Sequence, residues 1–180
     1  MRKEIFKKIK DKYGNYSSFA IWGDDLSDAS IIEENVDILH GRVVFVGWNV
    51  SRQIKKFQNF HFKHRGGRDS WLKEALNNSV IFRGSYMTDL IKGRISSKIK
   101  DLNINKDEEL RNLRIFEKEM SLLEKKPVLV LFGNNTFNLA KILSRDVYSD
   151  LYKISHYAKH GIKKDEFFNE IRELERIMKI

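Results

Sequence analysis

The sequence predicts an α/β fold, a three-layer α/β/α sandwich built around a four-stranded, mainly parallel sheet. Three observations lead there. Short continuous apolar runs such as Val43-Val44-Phe45-Val46 and Val128-Leu129-Val130-Leu131-Phe132 mark strands buried on both faces. Segments with apolar residues at helical spacing alternate with those runs, which places helices between parallel strands. At 180 residues the chain has the size of one domain, and no linker, repeat or low-complexity tract divides it. Residues 1–180 are therefore expected to form a single unit.

The elements follow in order. Residues 1 to 13 predict a charged amphipathic helix with Ile5, Phe6 and Ile9 on its apolar side, ended by Gly14-Asn15. Residues 17–22 are apolar and flanked by turns, and a short helix is expected around 29–34 within an acidic segment. The clearest strand is 42–47, β-branched and closed by Gly47. A helix at 69–77 has Asp69 as its expected N-cap and Trp71, Leu72, Ala75 and Leu76 as its inner stripe. Val80-Ile81-Phe82 predicts a second strand running into Gly84. Residues 106–125 predict the longest helix, with Leu110, Leu113, Phe116, Met120 and Leu123 inward. Pro127 opens a third strand at 128–132, and a helix at 135–143 follows it. A short fourth strand at 151–154 and an amphipathic helix at 164–179 complete the chain. In such sheets ligands meet the loops at the carboxyl ends of the strands. Those loops are expected to begin at Gly47, Gly84, Gly133 and His156.

Composition narrows the chemistry. An apolar share of 41% is far above that of a disordered chain. The longest apolar run has a strand's length rather than a membrane span's, and the charged N-terminus does not resemble a signal peptide. A cytoplasmic protein with no membrane contact is expected. The absence of cysteine removes disulfides, thiolate metal sites and cysteine nucleophiles. His40, His61, His64, His156 and His160 lack the carboxylate partners of a metal motif, so neither metal nor cofactor is predicted. Net charge is +9, and it is unevenly spread. Residues 38–68 contain no acid but carry Arg42, Arg52, Lys55, Lys56, Lys63, Arg65 and Arg68. Residues 91–100 are also acid-free and carry Lys92, Arg94, Lys98 and Lys100. This polarity predicts a basic face and a polyanionic partner. Basic and aromatic residues interleave at 57–68, a pattern that suits nucleic acid because charge meets phosphate and rings stack on bases.

Five stretches carry a resemblance. Gly47-Trp48-Asn49-Val50-Ser51 and His156-Tyr157-Ala158 resemble the first and second motifs of the uracil-DNA glycosylase superfamily, and Tyr13–Trp22, Gln58-Asn59-Phe60-His61 and Gly84–Asp89 resemble stretches of an uncharacterised branch of it. The chain resembles an uncharacterised bacterial branch of that superfamily over most of its length. The resemblance implies a monofunctional, cofactor-free monomer that hydrolyses the N-glycosidic bond of a damaged or deaminated base in DNA, single- or double-stranded. Asn49 would orient the attacking water, and His156 would donate a hydrogen bond to the carbonyl oxygen of the leaving base. Phe60 would stack on the flipped base, with Phe57 as second choice, and Trp48, Tyr86 and Asp89 would complete the base pocket. Ser51, Arg52, Lys55, Lys56, Lys159 and His160 would meet DNA.

Several residues depart from the family pattern. Asp89 stands roughly where members present an asparagine that reads uracil. An ionised aspartate only accepts hydrogen bonds, so uracil reading requires a protonated Asp89 or a base with an extra donor. Val50 replaces a usual proline, and Ala158 replaces a serine that contacts phosphate. Lys159 and His160 stand where an apolar wedge commonly follows. Two alternatives remain beside the glycosylase: a non-catalytic nucleic-acid-binding module of the same fold, and a nucleoside binder that uses the same loops without DNA.

Overall fold

The computed structural model describes residues 1–62, 68–97 and 102–178. Of the expected basic residues, Lys63, Arg65, Lys98 and Lys100 lie outside the described residues, as does His64. The chain is an α/β protein with a five-stranded mixed sheet in the order β1-β3-β2-β4-β5. Its strands are β1 (Ser17–Phe19), β2 (His40–Asn49), β3 (Ser85–Ile91), β4 (Val128–Phe132) and β5 (Asp150–Ile154). The helices are α1 (Lys3–Tyr13), α2 (Ser30–Glu34), α3 (Asp69–Asn77), α4 (Lys106–Met120), α5 (Gly133–Ala140) and α6 (Lys164–Met178), with a 3-10 turn at Val36–Ile38. No helix among the described residues is long and apolar enough to cross a membrane.

Strands β3, β2, β4 and β5 run parallel, and β1 pairs antiparallel with β3. The fifth strand corrects the expectation of four. Ser17 and Ser18 give β1 little β-branched character, yet all three of its residues are buried. The pairing is prolonged by Ala20, whose N–H donates to Ser85 and whose carbonyl accepts from Gly84.

Alternation on the central strands sorts the core into two layers. Val44 and Val46 of β2, with Leu129 and Leu131 of β4, pack with Ile5 and Ile9 of α1 and Leu113 and Phe116 of α4. Val43, Phe45, Val130 and Phe132 face the other way, against Leu72 and Leu76 of α3 and Phe167 and Ile171 of α6. Both faces are covered by helices, which is why these strands are apolar without interruption.

The expected strand at Val80-Ile81-Phe82 is instead a turn. The Ser79 hydroxyl accepts from the amides of Ile81 and Phe82, giving them a local partner in place of a sheet neighbour. Val80 is 87% exposed, where a strand core would bury it. The strand starts beyond Gly84, whose φ of +80° and close approach to the Ile38 carbonyl admit no side chain. Gly84 therefore sits at the amino end of β3, at the edge of the sheet opposite the other three loops. The helix expected to reach 125 stops at Met120, and that expected at 135–143 spans Gly133–Ala140.

Candidate functional site

A cleft of about 750 Å³ opens over the carboxyl ends of β2, β4 and β5. Chain order explains its position. After β2 the chain moves to β3 on one side, and after β4 it moves to β5 on the other. The connections diverge between the two central strands and leave a crevice there.

Asn49 closes β2 at the cleft wall. Its amide donates to the carbonyls of Val50 at 2.8 Å and Ser96 at 2.9 Å. Both N–H groups are committed, so the carbonyl oxygen is the part of the amide left for a ligand or a water.

His156 stands across the cleft, in the loop after β5, with its ring stacked on Tyr157 at 4.7 Å and against Phe132 at 5.8 Å. Burial among these rings lowers its pKa to about 4, so the imidazole is neutral at pH 7. Nδ1 accepts the Ala158 N–H at 3.1 Å, and the single ring proton therefore sits on Nε2.

Two residues pin this loop from α3. The Arg68 guanidinium donates to the Lys159 carbonyl at 2.8 Å and reaches those of Tyr157 and Ile162 at 3.4 Å. Asp69 was expected to cap α3. Arg68 occupies the N-cap position, and the Asp69 carboxylate is buried beside Tyr157. Burial first, then the charge of Asp69 and a hydrogen bond to it, push the Tyr157 hydroxyl well above the ordinary tyrosine value. Arg68 and Asp69 were legible only as a basic residue and a cap, because their partners lie some ninety positions away.

The floor is built from the loop after β2 and the end of β3. Phe57 and Phe60 both take positive φ, +60° and +63°, which folds the loop back on itself. Phe60 lines the cleft, its ring 6.3 Å from that of Phe132. Phe57 is not available for stacking on a ligand. It is 1% exposed and packs against Phe6 and Phe19 in the core.

Asp89 also reaches the cleft, and Asn59 holds it by a 2.8 Å hydrogen bond to Oδ2. Burial raises its pKa to about 7. The Asn59 bond and Lys92 act against that rise, and Glu119 adds to it. Gly47 makes this arrangement possible, since a Cβ there would stand 2.1 Å from Asp89 Oδ1 and 3.3 Å from the Phe60 ring.

The remaining expected residues divide. Trp48, Ser51 and Lys159 line the cleft, and the buried Trp48 indole N–H has no partner among the described residues. Arg52 lies over the ring of Phe62, itself a lining residue, at 3.8 Å. Lys55, Lys56 and His160 do not line the cleft, and Lys56 instead lies 3.8 Å from Asp11 of α1. Tyr86 is excluded from any base pocket. Because β3 begins later than expected, Tyr86 falls inside the strand, where it is fully buried and donates to Glu119 at 2.6 Å. Lys153 of β5 lines the cleft without any sequence signal beyond a charge inside a short strand.

Among the described residues no group of three His, Cys, Asp or Glu is placed to hold a metal ion. No protein-family model matches the chain, and no curated protein matches it either.

Proposed function

We propose that the chain is a uracil-DNA glycosylase-like hydrolase that cleaves the N-glycosidic bond of a damaged or deaminated base in DNA. It would act as a cytoplasmic monomer without a cofactor. The observation that carries this reading is the opposition of Asn49 and His156 across one cleft floored by Phe60. Asn49 offers a free carbonyl oxygen, and neutral His156 offers an Nε2–H.

In this reading the base leaves the helix stack and lies on Phe60. The Asn49 oxygen accepts from a water and aims it at C1′. A neutral amide positions water but hardly deprotonates it, so bond breaking runs ahead of attack. The electron pair of the N-glycosidic bond moves onto the base, and its carbonyl oxygen gains charge. His156 donates to that oxygen. A neutral donor suits the task, because its proton is held by the ring in the ground state and its hydrogen bond strengthens as the oxyanion forms. The Ala158 amide fixes the tautomer, which gives the backbone a part here although the side chain contributes nothing polar. Ser51 and Lys159 line the cleft and Arg52 lies over the lining residue Phe62, and in this reading they meet the phosphate backbone.

The test is base release from an oligonucleotide panel holding uracil, hypoxanthine, xanthine and mismatched thymine in single and double strands. We expect release of at least one base, with Asn49→Ala and His156→Ala each slowed by about 10²–10³-fold. Absence of release on every substrate, with salt-sensitive DNA binding intact, assigns the chain to the non-catalytic binding module instead. The amide at position 49, where a carboxylate would be the stronger base, is the feature favouring that second reading.

A further inference from the structure

We infer that Asp89 works as a carboxylic acid that selects bases in which a carbonyl stands in place of an exocyclic amine: Asn59 fixes one of its oxygens, and the other donates a hydrogen bond to the oxygen that deamination introduces. This rests on the reading of the cleft as a base pocket.

The hydrogen-bond accounting sets the geometry. Asn59 donates one amide hydrogen to the Tyr16 carbonyl at 2.8 Å and the other to Asp89 Oδ2 at 2.8 Å, while its own oxygen accepts the Phe60 N–H at 3.1 Å. Every polar atom of the amide is used, so Asn59 cannot turn round and can only donate to Asp89. Oδ1 has no hydrogen-bond partner among the described residues and lies in the space left by the missing side chain of Gly47. One free oxygen, at the floor of the cleft beside Phe60, faces whatever lies there.

The charges around it favour the acid. Asp89 is 2% exposed, and no cation among the described residues forms an ion pair with its carboxyl group. The Lys92 ammonium, which acts on Asp89 by its charge, binds the Asp89 backbone carbonyl, the Thr88 hydroxyl and the Glu119 carboxylate instead. Glu119 of α4 acts on Asp89 through the sheet with a like charge, and Tyr157 faces it from the loop after β5 as a neutral phenol. β2 contributes Gly47 and the following loop contributes Asn59 and Phe60, none of them ionisable. With pKa raised to about 7, the carboxyl group holds its proton over the lower half of the physiological range. A bound base that excludes the remaining water extends that range upward.

Deamination converts a C–NH2 donor into a C=O acceptor of nearly the same size. Shape cannot separate the two, but polarity can, since the wrong isostere leaves buried polar groups unpaired. The acid donates to the carbonyl and meets the amine hydrogen-to-hydrogen. The ionised form would invert the preference and select undamaged bases. Retaining the proton is what directs the cleft to uracil, hypoxanthine and xanthine rather than cytosine, adenine and guanine.

Two measurements test this on the whole chain, each from about pH 5.5 to about pH 8.5. One is base release from the uracil and hypoxanthine oligonucleotides. The other is equilibrium binding of free uracil against free cytosine. In wild type the uracil preference should fall by about tenfold per pH unit above the Asp89 pKa. In Asp89→Asn, whose carbonyl replaces Oδ2 and whose NH2 replaces Oδ1, the preference should persist at every pH. A pH-independent preference in wild type, or a variant that follows the wild-type slope, overturns the role of Asp89. Release of uracil with a flat preference retains the glycosylase reading and removes this inference. A preference that switches with pH but no release from any oligonucleotide retains carbonyl selection and removes the hydrolase. Failure of both measurements overturns both.

Discussion

Glu119 and Asp89 are buried carboxyl groups on opposite faces of β3, and their surroundings could hardly differ more. Glu119, 0% exposed, receives the Tyr86 hydroxyl at 2.6 Å, the Thr88 hydroxyl at 2.8 Å and the Lys92 ammonium at 2.7 Å. Asp89 receives one neutral amide and opens on a cleft. A buried anion needs a countercharge and hydrogen-bond donors, and Glu119 has Lys92 beside Oε2 for the first and two hydroxyls on Oε1 for the second. It ties α4 to the sheet. Asp89 has neither in full, so it tends to keep its proton and retains an atom free for a ligand. Partner count, more than burial itself, separates the acid that ties elements together from the acid that keeps an oxygen open to the cleft.

Breaking each carboxyl group should move stability in opposite directions. Glu119→Gln strands the Lys92 ammonium without a counterion in the core, and we expect a loss of about 3–5 kcal/mol in denaturant unfolding. The double variant Glu119→Gln with Lys92→Met should recover much of that loss, because no buried charge then remains unpaired. Asp89→Asn should stabilise at neutral pH. Its folded-state pKa of about 7 exceeds the ordinary 3.8, so the native state binds more protons than the unfolded chain between those values. Stability contributed at this site is present below the lower value and lost as pH rises toward the upper one. The asparagine variant has no such slope. Equal destabilisation by the two single variants at pH 7 would sink the distinction.

The same contrast explains what could be read from the sequence. β2 and β4 were legible because their residues are apolar and β-branched, as strands buried on both faces must be. β3 was not. It is buried at all seven positions yet contains Ser85, Thr88 and Asp89, and the polarity of Thr88 and Asp89 is met by Glu119, Lys92 and Asn59. Asn59 and Glu119 come from distant segments, and no local pattern announces them. Val80-Ile81-Phe82 carries the better strand composition and forms a turn. Asn49, His156 and Phe60 were recoverable since each follows a recognisable strand or sits within a short motif. The Asn59 clamp and the Arg68 and Asp69 attachments of the His156 loop exist only once the chain is folded.

Histidines repeat the comparison with a smaller expected effect. His61 and His156 are both lowered by burial to about 4. His61 is fully enclosed, stacked on Trp22 at 5.0 Å with Nε2 at 3.1 Å from the Phe19 carbonyl, and does not line the cleft. The unfolded chain takes up a proton at His61 below its ordinary 6.5, and the native state does not until about 4. Stability is therefore complete above the higher value and lost as pH falls between the two. His61→Phe should flatten that acid limb in urea titrations while leaving the pH profile of base release in place. A change in the release profile would assign His61 a part in the site that its position does not suggest.

The smallest expected effect separates two lysines that look alike in sequence. Lys159 lines the cleft, while Lys56 lies by Asp11 of α1 and does not. If DNA crosses the cleft, a phosphate contact by Lys159 releases about one counterion, and Lys56 releases none. Lys159→Ala should weaken duplex binding on every sequence alike and reduce the slope of log affinity against log salt by about one. Lys56→Ala should leave that slope unchanged. Both lysines are exposed, both stand beside basic neighbours, and either substitution removes one positive charge from a chain of net charge +9. A uniform electrostatic attraction would thus lower both slopes together. Only a path that runs over the cleft distinguishes them, so the slopes report where the polyanion lies without requiring any turnover.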